Sequence, residues 1–304
     1  MNIDFLVVGV ARSGTTSIYR YLVQHPEIVT PKKKEPKFFS RKVYERPLNG
    51  KGDDTIKRDI VTSLEEYKEC ICADEEGLHG DYSSDYFYHA SEVIPEIKKV
   101  LTNQPKIVVC LRNPFDRAYS AYMNLKRDSR EHLDFLDSCT KEVERIRYGT
   151  DWMWHYVNGS LYYESLERYS KEFDNVKVVY YDDLVNDPSK VLVDLCKFLS
   201  INDEFKFDTN TIYSASGKPK NSFAGFLTSR TSPIYPLRRY FQTIVPRWIL
   251  EKVAQEFLFN KVESSIEWRE EDITKINSDI DRLVFLTGNT KLSDWKKQTS
   301  TIDH

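Results

Sequence analysis

Three compact apolar runs, Phe5–Val8, Ile107–Leu111 and Val176–Tyr180, punctuate a chain otherwise rich in charge. Runs of this length, apolar on both faces, suit strands buried inside a parallel sheet. Each is followed by polar or turn residues and then by helical spacing. Ile18-Tyr-Arg-Tyr-Leu22 follows the first, a helix opening at Pro114 follows the second, and the amphipathic stretch Val191–Leu199 follows the third. Alternating strands and helices predict an α/β fold with a central parallel sheet and helices on both faces. Ligands of such sheets bind at the C-terminal strand edge, where the first two runs end in loops loaded with polar groups.

No repeat, low-complexity tract or linker divides the chain, so one domain over residues 1–304 is expected. Residues 41–60, with Pro47, Gly50 and Gly52 as turn formers, read as a mobile excursion near the site. Residues 214–232 form a second Ser/Lys/Gly-rich loop, and the stretch from Arg247 to Trp268 is amphipathic and expected to be helical. With 30% charged residues and a net charge of −3, the chain carries no general basic field for nucleic acid. The start, Met1-Asn-Ile-Asp4, lacks a basic leader, and no stretch has the length and apolarity of a membrane span, so a cytoplasmic location is expected. Five cysteines without a second close pair point to free thiols in a reducing compartment and to no metal site.

The chemistry concentrates at Gly9-Val-Ala-Arg-Ser-Gly-Thr-Thr-Ser17. A strand, a glycine turn and a helix start place backbone N–H groups around an anion. In nucleoside-triphosphate loops a lysine follows the second glycine. Here that slot holds Thr15, and the cation has moved back to Arg12, inside the loop. Arg12 supplies a fork for two oxyanions, while Ser13, Gly14, Thr15, Thr16 and Ser17 supply hydroxyl and amide donors. A helix cap alone needs one hydroxyl, not four beside a basic residue. A second cation, Arg112, ends the next apolar run, and Ser120 follows eight residues later, about two turns into a helix whose first turn holds Pro114.

Taken together these stretches resemble the sulfotransferases that use 3′-phosphoadenosine-5′-phosphosulfate (PAPS), in particular their glycan-sulfotransferase branch. The similarity continues through Lys34-Glu-Pro-Lys-Phe-Phe39, Gly80-Asp-Tyr-Ser-Ser84, Gly159-Ser-Leu-Tyr-Tyr163, Tyr180-Tyr-Asp-Asp-Leu184, Phe198-Leu199 and Leu286-Thr-Gly288 with Trp295. It implies a P-loop-NTPase-like α/β fold, PAPS as co-substrate with PAP as product, and no metal. Arg12 would neutralise charge on the bridging oxygen, where the family usually has lysine. Arg112 and Ser120 would read the 3′-phosphate, with Gly217, Lys218 and Lys220 as a second grip that closes over the donor. Glu35 would be the general base, and Lys37 joins it and Arg12 as a catalytic candidate. Burial near Phe38 and Phe39 would raise the Glu35 pKa.

Some relatives have histidine at Lys37 and aspartate at Ser40, and others a lysine where this chain has Tyr82. Loss of that last cation points away from a polyanionic acceptor and toward a neutral sugar or small metabolite. His79 is the alternative base. The aromatics of Tyr82–Tyr88 and Trp152–Tyr156 either line an acceptor groove or pack the core, and Tyr162 and Tyr163 open a helix that packs through Leu166 and Tyr169. Two other readings stay open. A small-molecule P-loop kinase would take Asp182 or Asp183 for magnesium, and a non-catalytic module would bind nucleotide or glycan without transfer.

Overall fold

A computed structural model describes residues 1–209 and 266–298, together with the backbone of residues 218–219 and 259–260. The three apolar runs are strands: β1 (Phe5–Gly9), β3 (Lys106–Leu111) and β4 (Val176–Tyr180). A fourth, β2 (Gly80–Asp81), completes a parallel sheet of order β2-β1-β3-β4. With two residues and no apolar run, β2 leaves no strand signature in the sequence. Lys218–Pro219 (β5) and Phe259–Asn260 (β6) pair antiparallel as a separate two-stranded sheet.

Described helices before the second crossover are α1 (Thr15–Leu22), α2 (Asp54–Lys57), α3 (Leu64–Cys70) and α4 (Ala90–Val100). Then come α5 (Pro114–Arg127), α6 (Phe135–Thr140), α7 (Glu142–Tyr148) and α8 (Tyr163–Glu172). After β4 follow α9 (Tyr181–Asn186) and α10 (Pro188–Leu199), and Glu270–Thr287 is labelled α11.

The period-two alternation of the strands divides the core in two. Phe5, Val7, Val108 and Cys110 pack with Ile18 and Leu22 of α1 and Leu192, Leu195 and Leu199 of α10. Leu6, Val8, Ile107, Val109 and Leu111 face the opposite layer, which includes Val93 and Ile97 of α4, Phe115 of α5, Leu166 of α8 and Ile280 of α11. Both faces of β1 and β3 are thus apolar, and each buried aliphatic chain contributes about 1.5–3 kcal/mol. Tyr162, Leu166 and Tyr169 are buried, as the helical spacing predicted.

β1 leads outward to β2 and β3 leads the other way to β4, so the strand order reverses between β1 and β3. The crevice at that reversal lies where the loops after both strands emerge, which fixes the location of the site. Pro114 occupies the first turn of α5 and Asn113 caps it by accepting the Phe115 N–H at 3.0 Å. Arg112 is thereby held at the strand end, one residue before the cap.

The expected excursion at 41–60 contains a short 3-10 helix (Arg41–Glu45) and α2, and it is fastened at a buried carboxylate. Asp53 accepts the Trp154 Nε1–H at 2.9 Å, the N–H groups of Gly50 and Asp151 at 2.9 and 2.8 Å, and the Arg130 guanidinium. Apart from the backbone of residues 218–219 and 259–260, the expected loop at 214–232, with Gly217, Lys220 and the Lys218 side chain, and residues 247–265 lie outside the described residues. Where the expected helix from Arg247 to Trp268 is described, residues 259–260 are a strand and 266–268 are not helical. Among the described residues no helix is long and apolar enough to cross a membrane.

Candidate functional site

The loop after β1 is shaped by its glycines. Gly9 has φ +151, and a Cβ there would lie 2.7 Å from Phe87 Cβ and 2.9 Å from the Ser84 carbonyl. Gly14 has φ +91 and forms the N-cap of α1 without any side-chain cap. The N–H groups of Thr15, Thr16 and Ser17 therefore begin a helix with no intrahelical acceptor. A Cβ on Gly14 would sit 2.9 Å from Leu184 Cδ2. Gly14→Ala is expected to cost about 1–3 kcal/mol, from the left-handed backbone and this contact. Urea denaturation measures it, and an unchanged midpoint would contradict the account.

Four guanidinium groups gather beneath this helix start. Arg12 is half-buried with φ +73, and its Nε donates to Ser120 Oγ at 3.1 Å. Its Nη1 reaches Asn124 Oδ1 at 3.4 Å. Arg112 donates to the Arg12 carbonyl at 3.3 Å and lies 4.6 Å over the Tyr181 ring. Arg117, buried at 1% exposure, donates to the Ala11 carbonyl at 3.2 Å and braces the loop from below. Arg127 donates to Asn124 Oδ1 at 2.7 Å. Burial, then the charges of Arg127, Arg112 and Arg117, pull the Arg12 pKa down to about 10. An anion bound among them would relieve that mutual repulsion, and the buried Ser13 hydroxyl lies close by, against the Tyr162 phenol.

The structure thus brings Arg12, Arg112 and Ser120 together, 108 residues apart in the case of Arg12 and Ser120. Asn124, Arg117 and Arg127 escaped the sequence reading. Ser120, Asn124 and Arg127 follow i, i+4, i+7 spacing, one stripe of α5, which is the signal that finds two of the three.

Glu35 stands on the other side of the loop. Lys34 Nζ donates to Thr16 Oγ1 and to Glu35 Oε1, both at 2.9 Å, so one ammonium ties the loop to the carboxylate. Ser84 Oγ also donates to Glu35 Oε1, at 3.3 Å. The expected rise in the Glu35 pKa is not found. Burial raises it and is the largest single influence, but the charges of Lys34 and Lys37 with the two hydrogen bonds outweigh it, and the net direction is down. Phe38 and Phe39 do not enclose Glu35 in an apolar pocket. They turn into the core, where Phe38 stacks on Tyr67 with ring centroids 4.4 Å apart. Lys37 adopts φ +55, with its N–H on Ser83 Oγ at 3.0 Å.

His79 is far from this chemistry. It precedes β2, its N–H donates to Asp4 at 2.7 Å and its ring pairs with the Cys72 carbonyl at 3.0 Å, all at the N-terminal edge of the sheet. That is the edge of the sheet opposite the one from which the loops carrying Arg12 and Arg112 emerge. Tyr82 is fully buried, edge-on to Phe5 and Tyr19, so it fills the core rather than facing an acceptor. Asp182 and Asp183 are exposed on α9.

A cavity of about 480 Å³ opens from Val10 and Ser84 and runs past Tyr88 and Trp152 to Glu164 and Arg282. Ser84 joins it to Glu35. Of the two aromatic clusters, Tyr88 and Trp152 line this cleft, while Tyr86, Trp154 and Tyr156 belong to the core. The Tyr88 phenol pairs with His155 Nδ1 at 2.7 Å, and Trp152 Nε1 donates to the Tyr44 hydroxyl at 3.1 Å. Burial keeps His155 neutral, its pKa near 3.

Residues 4–204 match the model of a family described as the sulfotransferase family. The human bifunctional heparan sulfate N-deacetylase/N-sulfotransferase 3 is 32% identical over 136 residues, covering 43% of this chain and 13% of that protein. The mouse enzyme 4 of the same name is 26% identical over 222 residues, covering 67% of this chain and 23% of that one. The matched stretches thus span less than a quarter of these two curated relatives. The crystal structure of a sulfotransferase from Alicyclobacillus acidocaldarius superposes with TM-score 0.73 at 28% identity, covering 98% of this chain and all of that one. A sulfotransferase domain from the curacin biosynthetic pathway shares the fold, with TM-score 0.51 at 15% identity over 92% of this chain and 98% of that domain.

Proposed function

The chain belongs to the sulfotransferase family, and from that membership we propose that it moves the sulfuryl group of PAPS to an acceptor hydroxyl, with an amine as the less favoured alternative, and releases PAP. One observation carries the reading: Lys34 joins Thr16, at the start of α1, to Glu35, which Ser84 links to the cleft. An anion site and a proton acceptor thus meet at one strand edge.

The donor set suits PAPS, because the guanidinium cluster is rich in fixed positive charge around a helix N-terminus. Arg12, Ser13, Gly14, Thr15, Thr16 and Ser17 would hold the 5′ end. Arg112 and Ser120 would take the 3′-phosphate, and Gly217, Lys218 and Lys220 would extend that grip. Glu35 accepts the acceptor proton as the new O–S bond forms and the bond to the 5′-phosphate breaks. Arg12 stabilises the charge left on that phosphate, and Lys37 adds positive charge beside Glu35. The cleft past Tyr88 and Trp152 would seat a saccharide or a small metabolite, with rings against the Tyr88 face.

Labelled PAPS with chito-oligosaccharide, heparosan oligosaccharide and 4-methylumbelliferyl glucoside tests the transfer, and absence of any PAPS-dependent sulfation in a wider hydroxyl panel counts against it. PAP is expected to raise the melting temperature and Mg-ATP to leave it unchanged; the reverse supports a kinase. Arg112→Ala is expected to weaken PAP binding about 10- to 100-fold, the worth of a charged hydrogen bond. Titration calorimetry reads the loss, and unaltered affinity would remove Arg112 from the donor site.

A further inference from the structure

Behind Glu35 lies a second carboxylate that the transfer chemistry above does not use. Asp85 is fully buried, and its Oδ2 accepts the Ser40 hydroxyl at 2.6 Å and the Tyr44 hydroxyl at 2.8 Å. Its Oδ1 has no hydrogen-bond partner among the described residues. Both residues that donate to it lie beside Lys37. Ser40 Oγ also lies 3.1 Å from the Lys37 carbonyl, and the Lys37 ammonium sits 5.8 Å from the centre of the Tyr44 ring. We propose that Asp85 is a positioning residue, which through Ser40 and Tyr44 fixes the Lys37 ammonium within electrostatic reach of Glu35.

The charge pattern agrees with this placement. Lys37 is among the groups that favour the ionised form of both Asp85 and Glu35, so its ammonium stands where it acts on the two carboxylates together. A buried carboxylate with an open lone pair is costly to keep unless a nearby cation offsets it. The left-handed Lys37 backbone, anchored by its N–H on Ser83 Oγ and with the Ser40 hydroxyl beside its carbonyl, gives the side chain a defined origin. Trp152 Nε1 donates to the same Tyr44 hydroxyl and lines the cleft, so the arrangement is also anchored to the acceptor side.

The inference rests on Glu35 as the base, and a four-variant comparison separates the two. The assay is transfer from labelled PAPS to whichever of the three acceptors named above turns over fastest. Asp85→Asn preserves shape and the acceptor oxygen, and it is expected to lower kcat about 10-fold with KM for PAPS unchanged. Lys37→Met is expected to lose at least as much. The Asp85→Asn/Lys37→Met double variant should lose no more than Lys37→Met alone, because one residue acts through the other. Multiplicative losses, or full activity in Asp85→Asn, would overturn the positioning role. Should Asp85→Asn fail to fold, judged by the PAP-induced thermal shift, Ser40→Ala takes its place in the cycle with the same expectation. Glu35→Gln is run alongside: retained activity there overturns the base assignment itself, whatever the cycle shows.

Discussion

Glu35→Gln is expected to lower kcat by about 10²–10⁴-fold while PAP still binds, since removing a general base affects proton transfer and leaves the donor contacts in place. Glutamine keeps an oxygen for Lys34 and Ser84 but cannot take a proton. The position of the carboxylate also predicts a pH profile. Lys34 and Lys37 hold the Glu35 pKa below its ordinary value of 4.5, so its carboxylate is predominantly ionised above that value. The acid limb of kcat/KM should therefore fall only as pH drops through that lowered pKa, and the Lys37→Met limb should move upward. A weak base suffices because the acceptor hydroxyl becomes acidic as its oxygen bonds to sulfur. An acid limb near neutrality, or activity retained in Glu35→Gln, would transfer the base role to another group.

The second large effect is expected at Arg12. Arg12→Ala should reduce kcat by about 10²–10³-fold, the usual loss when a group that stabilises transition-state charge is removed. PAP affinity should change much less, because Arg112, Ser120 and the α1 amides remain. Arg12→Lys restores the charge but not the fork that spans Ser120 and Asn124, so partial recovery is expected. Rapid-quench measurement of a single turnover separates chemistry from product release. A variant that loses donor affinity and keeps its chemical rate would make Arg12 a binding residue.

The loop after β1, with Arg112 and Ser120 against it, was legible because its signals are local. A strand, two glycines and a helix start lie within thirteen residues, and Ser120 falls about two turns into the helix that opens at Pro114, just after Arg112. The polar groups around it were less so. Asp53 and Asp85 look like ordinary surface acids in the sequence, yet both are fully buried, because Trp154 and Arg130 close on one and Ser40 and Tyr44 on the other. Lys34 looked like one member of a lysine run, but folding placed it between Thr16 and Glu35.

Continuous apolar runs thus determined three of the sheet's four strands and its two-sided core, since burying both faces of a strand leaves its side chains little choice. The glycine pattern likewise determined the loop after β1, because only glycine enters φ +91 without strain. Which way the Glu35 pKa moves was decided by the tertiary structure alone. The sequence placed two phenylalanines beside the carboxylate and suggested a rise. Chain geometry turned both rings into the core and left Lys34 and Lys37 to set the field. Electrostatic fields depend on distances across the fold, and neighbours in sequence do not fix those distances.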